Sequence, residues 1–311
     1  MAEHNARKLR GFISVADYRA DELLDLLDRA THLKRLHHMG ESRQSLRGKT
    51  LAMYFEKPSL RTHVTFEAGI SQLGGHAILL RPEQVGIGTR ETPQDVARAL
   101  SRWVHCIMAR TFSHSLVEQL ACEADIPVIN GLTDFLHPCQ AMADLLTIRE
   151  KMDPQQSTLA YVGDGNNVAH SLVLLAAVLG FRLQLGTPST HAILPKIRQQ
   201  ADELAKTSGA VITWSEDARD AVKGANFVYT DTWTSMGQED ESILRRKIFA
   251  PYQVNSALLE ICPEAWVMHC MPAHRGEEIT DDVVDGPRSL VYDQAENRLH
   301  AQKAILEHLM G

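Results

Sequence analysis

Short apolar runs alternate along this chain with longer stretches in which apolar residues return every three to four positions. That is the pattern of strands buried on both faces alternating with helices that cover them. The first series predicts a strand over 50–55, then a helix through Ile70 that stops at Gly74-Gly75, a common helix terminator. A strand over 77–80 follows, and Thr92-Pro93 opens a helix to Trp103, with the threonine as cap and the proline in the first helical position. Strands over 106–109 and 127–130 alternate with helices over 116–124 and 138–151. A second series places strands at 159–162, 182–185, 210–214 and 227–230, with a helix at 168–179. Between the series, Asp153-Pro154 and two glutamines interrupt the periodicity. The expected fold is α/β, two doubly wound parallel-sheet domains with a cleft between them, over 1–150 and 151–290. A last helix over 294–310 could dock on either domain.

Bulk properties narrow the function. At 311 residues the chain is long for one hydrophobic core and suits two. A net charge of −7 argues against nucleic acid and membrane surfaces as partners, because both need a positive field. Any anionic ligand must then be held by a local cluster of positive groups. The five cysteines, at 106, 122, 139, 262 and 270, lack paired spacing, which argues against a disulfide framework and points to a reducing compartment. Segment 1–10 is charged and lacks the apolar stretch of a signal peptide, and the longest apolar run, 172–181, is about half a membrane span. A cytoplasmic location is expected.

In open α/β sheets ligands sit beyond the carboxyl ends of strands, so the residues just after each strand carry the chemistry. After the first strand comes Glu56-Lys57-Pro58-Ser59-Leu60-Arg61-Thr62. A helix N-terminus with two hydroxyls and an arginine suits a phosphate; taken alone the motif reads sooner as a serine cap beside a surface arginine. Arg110-Thr111 and His137-Pro138-Cys139-Gln140 follow two further strands at the same sheet edge. Together they make a pocket for a small anion that bears a carbonyl. In the second series Gly163-Asp164-Gly165-Asn166-Asn167 resembles the start of a dinucleotide fingerprint, but Val168 replaces the third glycine and 183–189 offers no acid for a ribose. No nicotinamide cofactor is therefore expected. Asn167 presents an amide at a helix start, suited to a carboxylate or an amino group. Asp231-Thr232-Trp233-Thr234-Ser235-Met236-Gly237 and His269-Cys270-Met271-Pro272-Ala273-His274 follow the last strands, and an aspartate near a cysteine can orient and deprotonate an amine. Zinc on His269, Cys270 and His274 lacks a second ligand pair with suitable spacing, so no metal is expected.

As an ordered set, S-x-R-T, R-T, H-P-x-Q, G-D-G-N-N, D-x-x-x-S-M-G and H-C-M-P-A-H-R-G-E-E resemble the ornithine carbamoyltransferases, from about Arg10 to the C-terminus. The resemblance implies carbamoyl phosphate and ornithine as substrates, no cofactor, and a homotrimer or a multiple of it. It implies that Ser59, Leu60, Arg61, Thr62, Arg110, His137, Gln140, Cys270, Met271 and Arg298 hold carbamoyl phosphate. By the same resemblance Asn167, Asp231, Ser235 and Met236 hold ornithine, and Arg110, His137, Asp231 and Cys270 assist the chemistry. The last segment, 291–311, is then expected to return to the first domain, and Met271-Pro272 to be cis. Where many members carry M-Q-L-G-x-G-E to supply a neighbour's site, this chain has Gln84-Val85-Gly86-Ile87-Gly88-Thr89-Arg90-Glu91, which leaves open which residue reaches across. Other acceptors stay open too: putrescine, which lacks the carboxylate Asn167 would hold, and N-acylated ornithine, against which Ser235-Met236-Gly237 speaks. So does a nucleotide-binding oxidoreductase, which the incomplete glycine motif disfavours.

Overall fold

The computed structural model describes residues 11–311; the charged opening segment, read above for a signal, lies outside the described residues. The described residues form two compact units, one made of 11–139 and 298–311, the other of 140–297.

In the first unit the elements run β1 (Gly11–Phe12), α1 (Ala20–His38), β2 (Thr50–Phe55), α2 (Leu60–Gln72), β3 (His76–Leu80), α3 (Pro82–Val85), α4 (Pro93–Trp103), β4 (Cys106–Arg110), α5 (His114–Glu123) and β5 (Val128–Leu132). All strands are parallel, in the order β1-β5-β4-β2-β3. The central strand β4 is buried at every residue, as its uninterrupted apolar run requires, and Ala52, Tyr54, Ile107, Ala109, Val117 and Leu120 share one core cluster. Burying each large aliphatic side chain of this kind contributes about 1.5–3 kcal/mol. Caps set the helix starts. Thr92 accepts from Asp95 N at the start of α4, and Ser59 accepts from Thr62 N at the start of α2. α1 lies outside the elements that the pattern predicts, yet its Leu23, Leu26, Leu27, Ala30 and Leu33 recur at helical spacing and are all buried.

The helix α6 (Pro138–Arg149) follows β5 and lies almost wholly in the second unit. Then come β6 (Thr158–Val162), α7 (Asn167–Leu179), β7 (Arg182–Gly186), α8 (Pro195–Ser208), β8 (Val211–Ser215), α9 (Ala218–Ala221), β9 (Phe227–Thr230), α10 (Ser242–Phe249), α11 (Ser256–Leu259), β10 (Trp266–His269), α12 (Asp281–Val284) and α13 (Val291–Met310). This sheet is also wholly parallel, ordered β10-β9-β6-β7-β8. The long apolar run is α7, buried along its whole length from Val168 to Leu179. Among the described residues no helix is long and apolar enough to cross a membrane.

The units divide the chain at 139/140 and 297/298, where the pattern of the sequence placed the break at 150 and a separate last segment from 291. The difference lies in α6 and the start of α13. Gln294 donates to Asp144 at 2.7 Å and Asn297 to Thr147 at 3.0 Å, which ties the two helices together within the second unit. The rest of α13 packs on the first unit: Lys303 donates to Gln72 at 3.1 Å, and Glu307 pairs with Arg29 at 2.9 Å.

Candidate active site

Each sheet changes direction once. In the first, β2 and β4 are neighbours, but β3 lies on one side of them and β5 on the other. The crevice at such a reversal, at the strands' carboxyl ends, is where open α/β sheets bind ligands. β2 leads there into Ser59-Leu60-Arg61-Thr62, and β4 ends there with Arg110, opposite Phe55 in the register. Ser59 caps α2, so one of its oxygen's lone pairs is occupied by Thr62 N at 3.2 Å. The buried hydroxyl of Thr62 accepts from Arg110 Nη1 at 3.3 Å and from Arg298 Nη2 at 3.0 Å. With both lone pairs so used, its proton is left to donate. Two like-charged guanidinium groups are thus drawn onto one neutral oxygen beside the positive end of a helix.

His137 is buried in the same unit, and burial, Arg298 and Arg110, in that order, hold its pKa well below the ordinary imidazole value. It is a neutral imidazole at physiological pH. Lys57, next to the motif, is committed elsewhere: it pairs with Asp134 and lies 4.4 Å from the centre of the Phe112 ring. Leu60 is 74% exposed and Arg61 half-buried, both on the first turn of α2.

The second sheet reverses between β6 and β9, with β7 and β8 on one side and β10 on the other. Asp231, just past β9, gathers three donors. Asn166 Nδ2 reaches Oδ2 at 2.7 Å, while Thr232 N at 2.7 Å and Cys270 Sγ at 2.8 Å reach Oδ1. Burial, then the Asp231 charge, push the Cys270 thiol well above its ordinary value, so the thiol is a donor to the carboxylate and not itself a base. The next residue, Met271, has φ +59° and precedes a cis proline, as the resemblance implied. Ser235 and Met236 follow Asp231 in a loop braced by Arg245, which is bonded to Trp233 O and paired with the buried Asp164. Burial raises the Asp164 carboxyl to about 7 against the opposing pull of Arg245.

Asn166, which the motif gives no role, bonds Asp231 from the position before Asn167. Its signal was legible as a cap directly before an apolar helix: its Oδ1 accepts from Val168 N and Ala169 N. Gly165 also has a structural job. A Cβ there would meet Ala192 C, His191 O and Ile193 N, each at 2.6 Å, so the close backbone approach that a dinucleotide would need is taken by the chain's own loop. Asp231, His269 and Cys270 bring ligand atoms within 4.8 Å of one another. A cation there would have to displace existing bonds: His269 Nδ1 accepts from Met271 N, its Nε2 faces Glu278, and Cys270 donates to Asp231.

Known proteins resemble this chain over nearly its whole length. A family model described as the aspartate/ornithine carbamoyltransferase carbamoyl-P binding domain matches residues 10–150, and its companion, the Asp/Orn binding domain, matches 155–309. The ornithine carbamoyltransferase of Methanothermobacter thermautotrophicus is 51% identical over 305 residues, covering 97% of this chain and 99% of that one. That of Anoxybacillus flavithermus is 50% identical over 305 residues and 97% of each chain. The solved ornithine carbamoyltransferase from Pyrococcus furiosus matches with a TM-score of 0.94 at 48% identity, over 97% of each chain. With both halves of the chain matched and the two switch points carrying the family's motifs, the chain belongs to the aspartate/ornithine carbamoyltransferase family.

Proposed function

We infer that this protein transfers the carbamoyl group of carbamoyl phosphate to the δ-amine of L-ornithine, releasing L-citrulline and phosphate. The observation that carries the reading is the pair of arginines held on Thr62 at the start of α2, with a neutral His137 under their influence. Phosphate is bound by Ser59, the backbone N–H groups after it, Arg61, Arg110 and Arg298. His137 and Gln140 take the carbamoyl end, with Leu60, Cys270 and Met271 completing its surroundings. Asn167, Asp231, Ser235 and Met236 hold ornithine.

In the transfer, the uncharged amine attacks the carbamoyl carbon and the C=O electron pair moves onto oxygen. Thr62 O–H, Arg110 and His137 donate to that oxygen, and preorganised donors of this kind are each worth about 3 kcal/mol. The oxyanion's electron pair then re-forms the C=O as the bond between the carbamoyl carbon and the bridging oxygen breaks; phosphate leaves with that bond's electron pair into the arginines and the helix end, and the surplus proton on the attacking nitrogen passes to it. An ammonium with a pKa near 10 does not attack, so a proton must leave the amine first. Asp231 is the acceptor that draws it off, with Cys270 and Asn166 fixing the carboxylate's direction.

The working form is a homotrimer in the cytoplasm, serving arginine metabolism, and the largely exposed segment 84–91 is the part that would reach a neighbouring copy. Sedimentation velocity tests the trimer. The activity is tested by an assay for ureido product from carbamoyl phosphate with ornithine, putrescine, N-acetylornithine and aspartate. Rapid product with ornithine alone is expected; product with putrescine but not ornithine overturns the reading. Arg61→Ala is expected to abolish carbamoyl phosphate binding in a folded protein, and normal turnover in that variant overturns the phosphate role.

A further inference from the structure

The segment that follows β10 carries three metal-type ligands after Cys270: His274, Glu277 and Glu278, spaced as H-x-x-E-E in the second unit. Each offers one ligand atom, and the three atoms lie within 4.8 Å of one another. A tight turn brings them together. Glu277 N donates to His274 O at 2.9 Å, and Gly276 between them has φ +85°, which suits glycine. Gln253 Nε2 steadies the turn by donating to Gly276 O at 3.0 Å and to Glu277 O at 2.8 Å.

The atom that asks for a ligand is Glu278 Oε2. The side chain is fully buried, and its two oxygens are used unequally. His269 Nδ1 accepts from Met271 N at 2.9 Å, which puts the ring proton on Nε2, and Nε2 donates to Glu278 Oε1 at 3.0 Å. The same oxygen accepts from His274 N at 2.6 Å. Oε2 is buried with no hydrogen-bond partner among the described residues, an arrangement that is costly to keep. His274 Nδ1 stands 3.6 Å from it, too far for a hydrogen bond. Two ligands about 2.0–2.1 Å from one tetrahedral zinc stand about 3.4 Å apart, close to that spacing.

We propose that His274 Nδ1, Glu278 Oε2 and a carboxylate oxygen of Glu277 bind one divalent ion of the late transition metals, zinc above all. An imidazole with two carboxylates suits zinc, cobalt or nickel; magnesium prefers oxygen ligands alone and gives up its water reluctantly. The three groups balance the ion's two charges, and a proton resting on any of them is released on binding. The His274 and Glu277 side chains are 47% and 26% exposed, so the ion enters from solvent as these two rotate and meets Glu278 already fixed. One cation competes: Arg246 Nη2 pairs with Glu277 Oε1 at 2.7 Å. Arg275, inside the motif, is bonded to Asp281 and Asp285. Because Glu278 also holds His269 and His274, the ion fastens both ends of the loop that carries Cys270.

The test is calorimetric titration of chelator-stripped protein with zinc chloride. It is run in a Cys270→Ser background, which removes the sulfur of the neighbouring group Asp231, His269 and Cys270. An equivalent of zinc is expected to bind, and millimolar magnesium is expected not to displace it. Glu278→Gln keeps an oxygen for His269 and His274 N and turns an NH₂ to the place of Oε2, where it cannot ligate. His274→Ala removes a half-exposed ring and leaves the buried bonds alone, so it decides the matter even if the glutamine variant does not fold. Each is expected to weaken zinc at least about tenfold and to lose the zinc-dependent rise in Tm. Arg246→Ala frees Glu277 and is expected to tighten zinc at least about twofold. His38→Ala, an exposed histidine of α1, is the control and leaves the affinity within about twofold. The proposal is overturned by absence of zinc binding, by binding that survives His274→Ala, by its loss in His38→Ala, or by no gain in Arg246→Ala.

Discussion

Arg298 Nη2 donates to Thr62 Oγ1 at 3.0 Å, across 236 residues of sequence, and this bond ties the last helix to the first turn of α2. The same oxygen takes Arg110 from the end of β4 at 3.3 Å. One neutral hydroxyl thereby accepts from two guanidinium groups, and under the proposed function the anion would meet them already side by side.

Thr62→Val keeps the volume and removes the shared acceptor. The two guanidinium groups then lose the acceptor they share, and the oxyanion loses one donor. Turnover is expected to fall about a hundredfold. Steady-state kinetics alongside thermal unfolding check this, and a loss below threefold removes Thr62 from the mechanism.

His137 makes stability depend on pH in a definite direction. Its folded pKa lies well below the ordinary 6.5, so below pH 6.5 the unfolded chain takes up a proton that the folded one refuses. This part of the stability is complete above pH 6.5 and is lost as pH falls toward the folded value, by at most about 1.4 kcal/mol per pH unit. Denaturant unfolding between pH 7.5 and 5.5 should show the unaltered protein losing more stability than His137→Gln. Parallel curves for the two proteins contradict a depressed imidazole.

The Cys270 thiol is held up by burial and by Asp231. Asp231→Asn leaves the burial and removes the charge, so the thiol pKa falls and alkylation at pH 8 accelerates by roughly three- to tenfold. The measurement belongs in a Cys122→Ser background, since Cys122 is the other partly exposed cysteine. A rate that does not respond would show that the 2.8 Å contact leaves the thiol's acidity untouched.

Gly165 is required for space. In Gly165→Ala the new carbon would sit 2.6 Å from backbone atoms of His191, Ala192 and Ile193, which cannot move as the end of a side chain could. Overpacking of this kind costs about 1–3 kcal/mol, and the midpoint of denaturant unfolding should drop accordingly. Wild-type stability in this variant would mean the loop 191–193 yields freely.

The sequence by itself determined the alternation of strands and helices, because burial on both faces of a parallel sheet leaves apolar runs that few other structures need. It also placed Ser59, Thr92 and the glycines that end helices, since caps act within a few residues. It put residues 59–62, 110, 137, 231 and 270 at or just past the carboxyl ends of strands.

Only the tertiary structure decided which of these residues touch. Strand order brings β2 beside β4 and β6 beside β9, so Arg110 reaches Thr62, and Asn166, one residue away from the asparagine singled out in the sequence, reaches Asp231. Neither pairing leaves a local trace, because hydrogen bonds between distant segments depend on the register of whole sheets and not on neighbouring residues. The same holds for protonation. That His137 is neutral and Cys270 keeps its proton follows from burial and nearby charge, which arise only when the chain has folded.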